Sequence, residues 1–179
     1  MDKKNESEIR KIEELLEKER ENSKPKDPEK QKMGKASRQR GMLFEAKVRE
    51  DLEKKGWIVS KWMNTVDFER DRVGPARRKW NPFTKALSIG TGFPDLICFK
   101  KCKKNYEIIG VEAKSNGSLD KFEKGQCLWY LEKGTFPKIL IARKKKDKND
   151  GRKFIIQYED FKEKYIDKGK MDIKPKKDK

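Results

Sequence analysis

Gly92-Phe93-Pro94-Asp95-Leu96-Ile97 and, seventeen residues after Asp95, Val111-Glu112-Ala113-Lys114 are the stretches on which the reading of this chain turns. Each reads as a β-strand carrying charge. Alternate side chains of a strand point the same way, so Glu112 and Lys114 share one face. The rest of the second stretch is apolar, with Ile108, Ile109 and Val111. Half-buried charge costs several kcal/mol unless it is paired or bound to a metal. A strand that spends a face on charge in this way conflicts with its own apolar pattern, and such conflicts mark functional sites.

Outward from these strands, the periodicity changes several times. Residues 37–55 read as a long helix stopped by Gly56, with Phe44, Val48 and Leu52 at four-residue spacing toward the core and Glu45 edging that face. Trp57 to Trp62 reads as a strand, and residues 63–91, with Gly74, Pro75, Pro82 and Gly90, as irregular. Residues 93–100 and 106–114 are the two central strands, separated by a turn at Lys101 to Asn105. A helix is expected over 119–133, with Phe122, Leu128, Trp129 and Leu131 as apolar members and Gly134 as its stop. Ile139-Leu140-Ile141-Ala142 is a continuous apolar run, as expected of a strand buried on both faces. Lys144 to Lys153 reads as a basic loop, Phe154 to Tyr158 as a last strand and residues 159–166 as a short helix. This order predicts an α/β fold with a central mixed β-sheet flanked by helices.

Residues 5–22 read as a charged helix, with Asn5 and Glu8 as an N-cap signature and a narrow stripe of Ile9, Ile12, Leu15 and Leu16. That stripe serves either a solitary helix or a short coiled-coil contact. Ser23 to Lys35, with Pro25 and Pro28, reads as a linker. The expected organisation is a charged helix and linker over 1–35, a folded domain over 36–166 and a basic, disordered tail over 167–179.

Composition narrows the chemistry. With 33% hydrophobic and 44% charged residues, a core of roughly 100–130 residues with polar extensions is expected. Lys and Arg number 48 against 31 Asp and Glu, a formal charge of +17. Such a balance suits a polyanionic partner, nucleic acid first and an anionic membrane surface second. No apolar run approaches the roughly 18 residues of a membrane span, and the N-terminus lacks the apolar region of a signal peptide. Cys98, Cys102 and Cys127 make no paired framework, so the chain reads as reduced, intracellular and cytoplasmic. Without His, Cys98 and Cys102 do not complete a zinc ligand set. The same absence removes Ser-His-Asp and Cys-His mechanisms and nucleases with a His base. Catalysis is left to carboxylates, Lys and a hard, oxygen-liking metal.

If Asp95 and Glu112 end adjacent strands, their oxygens converge with the backbone carbonyl of Ala113 into an all-oxygen half-shell. Mg²⁺ favours such a shell, and Mn²⁺ substitutes. The metal lowers the pKa of a bound water and polarises a phosphoryl oxygen. Lys114 holds the attacking water or neutralises charge on the phosphorane, and a nearby metal with partial desolvation is expected to lower its pKa, which suits proton transfer. Glu45 supplies a further carboxylate, through water or to a second metal. The competing readings are a salt bridge for Asp95, Glu112 and Lys114 and a solvated helix edge for Glu45. A lone Glu-x-Lys recurs by chance in a Lys-rich chain; the signal is the combination of both motifs on apolar strands with an acid on the preceding helix.

Pro94-Asp95 followed by Glu112-Ala113-Lys114 resembles the defining motif of the PD-(D/E)XK nuclease superfamily. Gly41-Met42-Leu43-Phe44-Glu45 resembles the first-helix segment that bears its additional acid, and Gln126 resembles the Gln of archaeal Holliday-junction resolvases and VRR-type nucleases. The likeness covers roughly residues 37–160. It implies a restriction-endonuclease-like core in α-β-β-β-α-β order, making 36–166 a nuclease-like domain. It implies a Mg²⁺-dependent endodeoxyribonuclease acting on branched or structured DNA, with a place in DNA repair or recombination. By this resemblance Asp95, Glu112, Ala113 and Glu45 hold metal, Lys114 is catalytic and Gln126 assists. The connection between Trp62 and Gly92 is longer than in compact junction resolvases, which bears on junction specificity. A non-catalytic nucleic-acid-binding protein with a nuclease-like core stays open as an alternative. So does a restriction-type enzyme, although no base-reading helix is recognisable.

Two basic segments are candidates for DNA contact. Arg70, Arg72, Arg77, Arg78, Lys79 and Lys85 are interleaved with Phe68, Trp80 and Phe83. Either the cations contact phosphates while an aromatic stacks on an unpaired base, or the segment is a solvated loop diluted by Asp67, Glu69 and Asp71. Lys144, Lys145 and Lys146, with Lys148, Arg152 and Lys153, form a second patch expected to flank the bound backbone with little sequence specificity. A homodimer is expected if the substrate has two-fold symmetry.

Overall fold

Phe44, Val48 and Leu52 recur every fourth residue, and all three are buried along one side of helix α1 (Pro28–Lys54). The computed structural model describes residues 28–76, 79–81, 86–88, 92–148, 150–151, 153–169 and 171. The chain divides between Arg40 and Gly41 into two units, and the architecture below is that of the second. Residues 28–35, read from sequence as linker, are helical. Pro28 takes the first helical position, where a missing N–H is no loss. The expected helix over 5–22 lies outside the described residues.

After α1 comes β1 (Ile58–Lys61). The segment expected to be irregular instead forms two antiparallel hairpins, β2 (Asn64–Asp67) with β3 (Arg72–Pro75) and β4 (Lys79–Asn81) with β5 (Ala86–Ser88). Strands of three or four residues in polar sequence carry too little alternation to be seen from the pattern. What holds the first hairpin is tertiary: Val66 and Val73 are directly paired, and Val66 is buried in the core.

β6 (Leu96–Cys102) and β7 (Asn105–Ala113) follow, then α2 (Lys121–Glu132), β8 (Ile139–Lys146) and β9 (Phe154–Asp160). A single mixed sheet takes the order β1-β6-β7-β8-β9. Its pairs are antiparallel except β7 with β8, whose parallel pairing requires a crossover, supplied by α2. The protein is therefore α/β, a mixed five-stranded sheet flanked by helices.

Strand alternation assigns each face. Leu96, Cys98, Ile109, Val111 and Ala142 pack with Phe44, Val48 and Leu52 of α1. Ile139 and Ile141 pack on the other face with Cys127 and Tyr130 of α2, and with Phe136 and Phe161. Asp120 caps α2 with a reciprocal box: its carboxylate accepts from the Glu123 N–H, and Glu123 accepts from the Asp120 N–H. The short helix expected at 159–166 is a single π-helical turn, Lys162–Ile166, with Phe161 buried just before it and Tyr165 buried within it. No helix of the described residues is long and apolar enough to cross a membrane.

Candidate active site

Asp95 reaches its place because two glycines let the chain pass closely. A Cβ on Gly110 of β7 would lie 2.9 Å from Pro94 Cγ and 3.4 Å from Phe136 Cγ. A Cβ on Gly92 would lie 2.1 Å from the carbonyl oxygen of Trp62. Residues 92–95 are thus pressed between β7 and the residues around β1 and β2. The Phe93 N–H donates to the Asn64 carbonyl at 2.9 Å, and the Trp62 N–H to the Asp95 carbonyl at 3.0 Å. Tyr130 of α2 donates its hydroxyl to the Phe93 carbonyl at 2.8 Å and accepts from the Trp62 indole at 3.3 Å.

So held, Asp95 and Glu112 lock each other. The Asp95 N–H donates to Glu112 Oε2 at 3.0 Å, and the Ala113 N–H donates to Asp95 Oδ2 at 3.0 Å. Each carboxylate accepts from the backbone of the other's segment, which fixes both at the end of β6 and β7. Glu112 is 3% exposed. Its Oε1 lies 3.3 Å from Lys114 Nζ, and the same Nζ lies 2.5 Å from Glu123 Oε1. Among the described residues every buried polar side-chain atom has a partner.

The electrostatics follow from this crowding. Burial pushes Glu112 up to about 8, helped by the charge of Asp95 and opposed by Lys114. Burial also raises Asp95, against the hydrogen bond from Ala113, and the charge of Glu45 adds to the rise. For Lys114, burial disfavours the charged form, but hydrogen bonds and charge from Glu123 and Glu112 outweigh it and hold its pKa above the usual value. Desolvation acts on Lys114 in the expected direction, and the two carboxylates that face it are what raise it.

Glu123 is a site residue that the sequence reading missed. The available signal was Asp120-x-x-Glu123, a capping pattern that places a carboxylate at the first turn of α2. One oxygen of Glu123 serves the cap and the other serves Lys114.

The other expected members take separate places around the acidic pair, Glu45 near enough for its charge to act on Asp95. Glu45 is ion-paired to Lys61 of β1 at 3.0 Å and lines an open cleft of about 210 Å³ with Met42, Ala46, Arg49 and Lys61. Buried Gln126 donates its amide to the Thr65 hydroxyl, tying α2 to the first hairpin. Ala113 contributes its N–H to Asp95. Among the described residues no group of three or more His, Cys, Asp or Glu stands together at metal-ligand spacing.

The basic segments divide. Lys144, Lys145 and Lys146 are not in a loop; they are the exposed end of β8, paired with Ile156, Ile155 and Phe154 of β9. Alternation sends Lys145 to the face opposite Lys144 and Lys146, so the patch is split. Lys144 lies over the rings of Phe44 and Phe154, at 5.2 and 4.8 Å. Ala113 pairs with Ala142, so β8 runs on past the end of β7 and carries these lysines beyond Glu112. Arg70 and Arg72 are exposed on the first hairpin, Arg70 near Asp67 at 3.5 Å. Arg77, Arg78, Phe83 and Lys85, and the side chains of Lys79 and Trp80, lie outside what is described.

Neither a family model, nor a curated protein, nor a solved structure matches the chain, so what this site can do is read from its own residues.

Proposed function

We propose that the chain is a metal-dependent endodeoxyribonuclease with a PD-(D/E)XK-type site on a restriction-endonuclease-like core, acting on branched or otherwise structured DNA. The observation that carries this reading is the reciprocal lock of Asp95 and Glu112 with Lys114 beside it. Two buried acids held together, both raised by burial and Glu112 further by the charge of Asp95, destabilise the charged pair unless a cation joins them. That donor set fits a hard divalent ion. Asp95, Glu112 and the Ala113 carbonyl would hold Mg²⁺, with Mn²⁺ as substitute, and the ion when bound supplies an activated water and polarises the scissile phosphate. The order α-β-β-β-α-β, followed by β9, in the sheet and its helices supports the fold assignment.

The chain's own groups do the rest. Lys114, held between Glu112 and Glu123, acts as a fixed cation that neutralises charge growing on the phosphorane. Glu123 aims it. Arg49 and Lys61 at the cleft beside Glu45, and Lys144 to Lys146 on the overhang of β8, offer charge to the flanking phosphates.

The test is cleavage of labelled duplex, flap and four-way-junction DNA with Mg²⁺, Mn²⁺ or EDTA. Wild type is expected to cut only with metal, and Asp95→Asn and Glu112→Gln to lose the activity. Equal cleavage by wild type and both variants overturns the site. Tight, salt-sensitive binding with no turnover on any substrate favours a non-catalytic binding protein instead.

A further inference from the structure

Phe68 and Phe122 meet edge to face, with ring centroids 5.5 Å apart and planes at 74°. Their meeting has not buried them: Phe68 is 45% and Phe122 60% exposed. Phe68 stands in the turn between β2 and β3, and Phe122 in the first turn of α2. Both supports are braced. Asp71, in the same turn as Phe68, accepts from the Trp129 indole at 2.7 Å and is ion-paired to Lys133, both of α2 or its cap. Gln126 and Thr65 tie the helix to the base of the hairpin. The Phe68 ring lies against α2 at Gly125. Aromatic surface left in water forgoes the gain that burial would bring, and here rigid elements hold it there.

The location is specific. Phe122 immediately precedes Glu123, whose carboxylate grips Lys114, so the ring pair stands on the same first turn of α2 that reaches the acidic site. Exposed Lys121, Arg70 and Arg72 flank it, in a chain of net charge +17. Cations beside bare rings complement a strand with phosphates on one side and base faces on the other. A base within a duplex already has both faces covered by its neighbours, whereas an unpaired base has a face to give.

We propose that the Phe68–Phe122 pair is a stacking platform for an unpaired base of the DNA strand lying at Asp95, Glu112 and Lys114. The proposal rests on the nuclease reading for what happens at that site, but the platform is read by binding alone. It makes single-stranded nucleotides at a gap, flap or branch point the feature that the protein selects. Because every base has a π face, selection is by structure and not by sequence.

The experiment measures binding in EDTA, by fluorescence anisotropy, of a duplex with a short single-stranded gap and of the same duplex fully paired. A 2-aminopurine in the gap reports stacking by loss of its emission. Wild type is expected to favour the gapped DNA by roughly tenfold or more and to quench the probe. The double variant Phe68→Ala with Phe122→Ala is expected to lose most of that preference and the quench, and Phe122→Trp to keep both. Tyr106→Ala, which removes an exposed aromatic at the opposite end of β7, is expected to bind like wild type. If the double variant melts early, Phe122→Ala alone carries the test, since its ring is the more exposed. No preference in wild type, or an undiminished preference in the Phe122→Ala or folded double variant, overturns the platform. Preference without cleavage of any DNA retains the platform and removes the nuclease reading. Metal-dependent cleavage lost in Asp95→Asn, with no preference for unpaired DNA, does the reverse.

Discussion

The two faces of the sheet are made from alternate residues of the same strands, yet they are built to different ends. Toward α1, β7 presents Ile109 and Val111, both buried among Phe44, Val48, Leu52 and Leu96. Toward α2 the same strand presents Ile108, Gly110 and then Glu112, with Lys114 following. Burying a side chain like Val111 stabilises the fold by about 1.5–3 kcal/mol. Burying Glu112 works against it, and an apolar residue there would continue the strand equally well. The difference teaches that the face toward α1 is packing throughout, while the far end of the other face gives up stability to bring Asp95, Glu112, Lys114 and Glu123 together.

The sharpest way to break this contrast is to compare one substitution on each face. Glu112→Gln is expected to lower metal-dependent cleavage on the order of a thousandfold, several kcal/mol of transition-state stabilisation, with no loss of thermal stability. Leu96→Ala, one strand over on the packed face, is expected to cost about 2–5 kcal/mol in urea unfolding, because Leu96 is fully buried. If Glu112→Gln unfolds the protein as readily as Leu96→Ala, the two faces are not different in kind.

The pH dependence sharpens the same point. Glu112 is raised from 4.5 to about 8 in the fold. Below the unfolded value the carboxyl is neutral in both states and its contribution is fully present. As pH rises the unfolded chain releases the proton first, so stability is lost progressively until the folded pKa is passed. In EDTA the melting temperature of wild type is therefore expected to fall between about pH 5 and about pH 8. Glu112→Gln should flatten that slope, leaving the smaller part due to Asp95, which is also raised.

Glu123 makes a smaller effect with two separable parts. Glu123→Gln keeps a group able to cap α2 but removes one negative charge from Lys114; about a tenfold fall in turnover is expected, ~1.4 kcal/mol, with an unchanged melting temperature. Glu123→Ala should add a loss of about 1 kcal/mol in stability as the box disappears. The smallest effects belong to the overhang of β8. Replacing Lys144, Lys145 or Lys146 singly by Ala is expected to weaken binding to all DNAs alike. The slope of log affinity against log salt should become shallower by about 0.9 for each phosphate that the variant leaves unneutralised. The split of the patch predicts that Lys145, on the other face, differs from Lys144 and Lys146.

Much of this was legible in the chain itself. The sheet strands, α2 and the buried side of α1 follow from apolar period, stop residues and turns, which are interactions between neighbours in sequence. The meeting of Asp95 with Glu112 was legible too, because a tight hairpin brings β6 against β7 and leaves little freedom in register. The hairpin of 64–75 was not, since strands of four residues acquire their reason only when Val66 finds the core.

What tertiary structure alone decided is which groups share a partner across long stretches of chain. Lys114 takes Glu123 as well as Glu112, Glu45 takes Lys61, Gln126 takes Thr65 and Phe68 takes Phe122. None of these is set by a local period. Glu45 and Lys61 meet where α1 packs on the sheet; the others arise because burying the apolar face of α2 and the first hairpin carries their polar and aromatic edges together, and the energy that brings them there belongs to the core and not to the pairs themselves. The sequence determined the strands, the acidic pair and the chemistry left to a chain without histidine; the packing decided how that pair is locked, which carboxylates hold the lysine, and which rings stand open beside it.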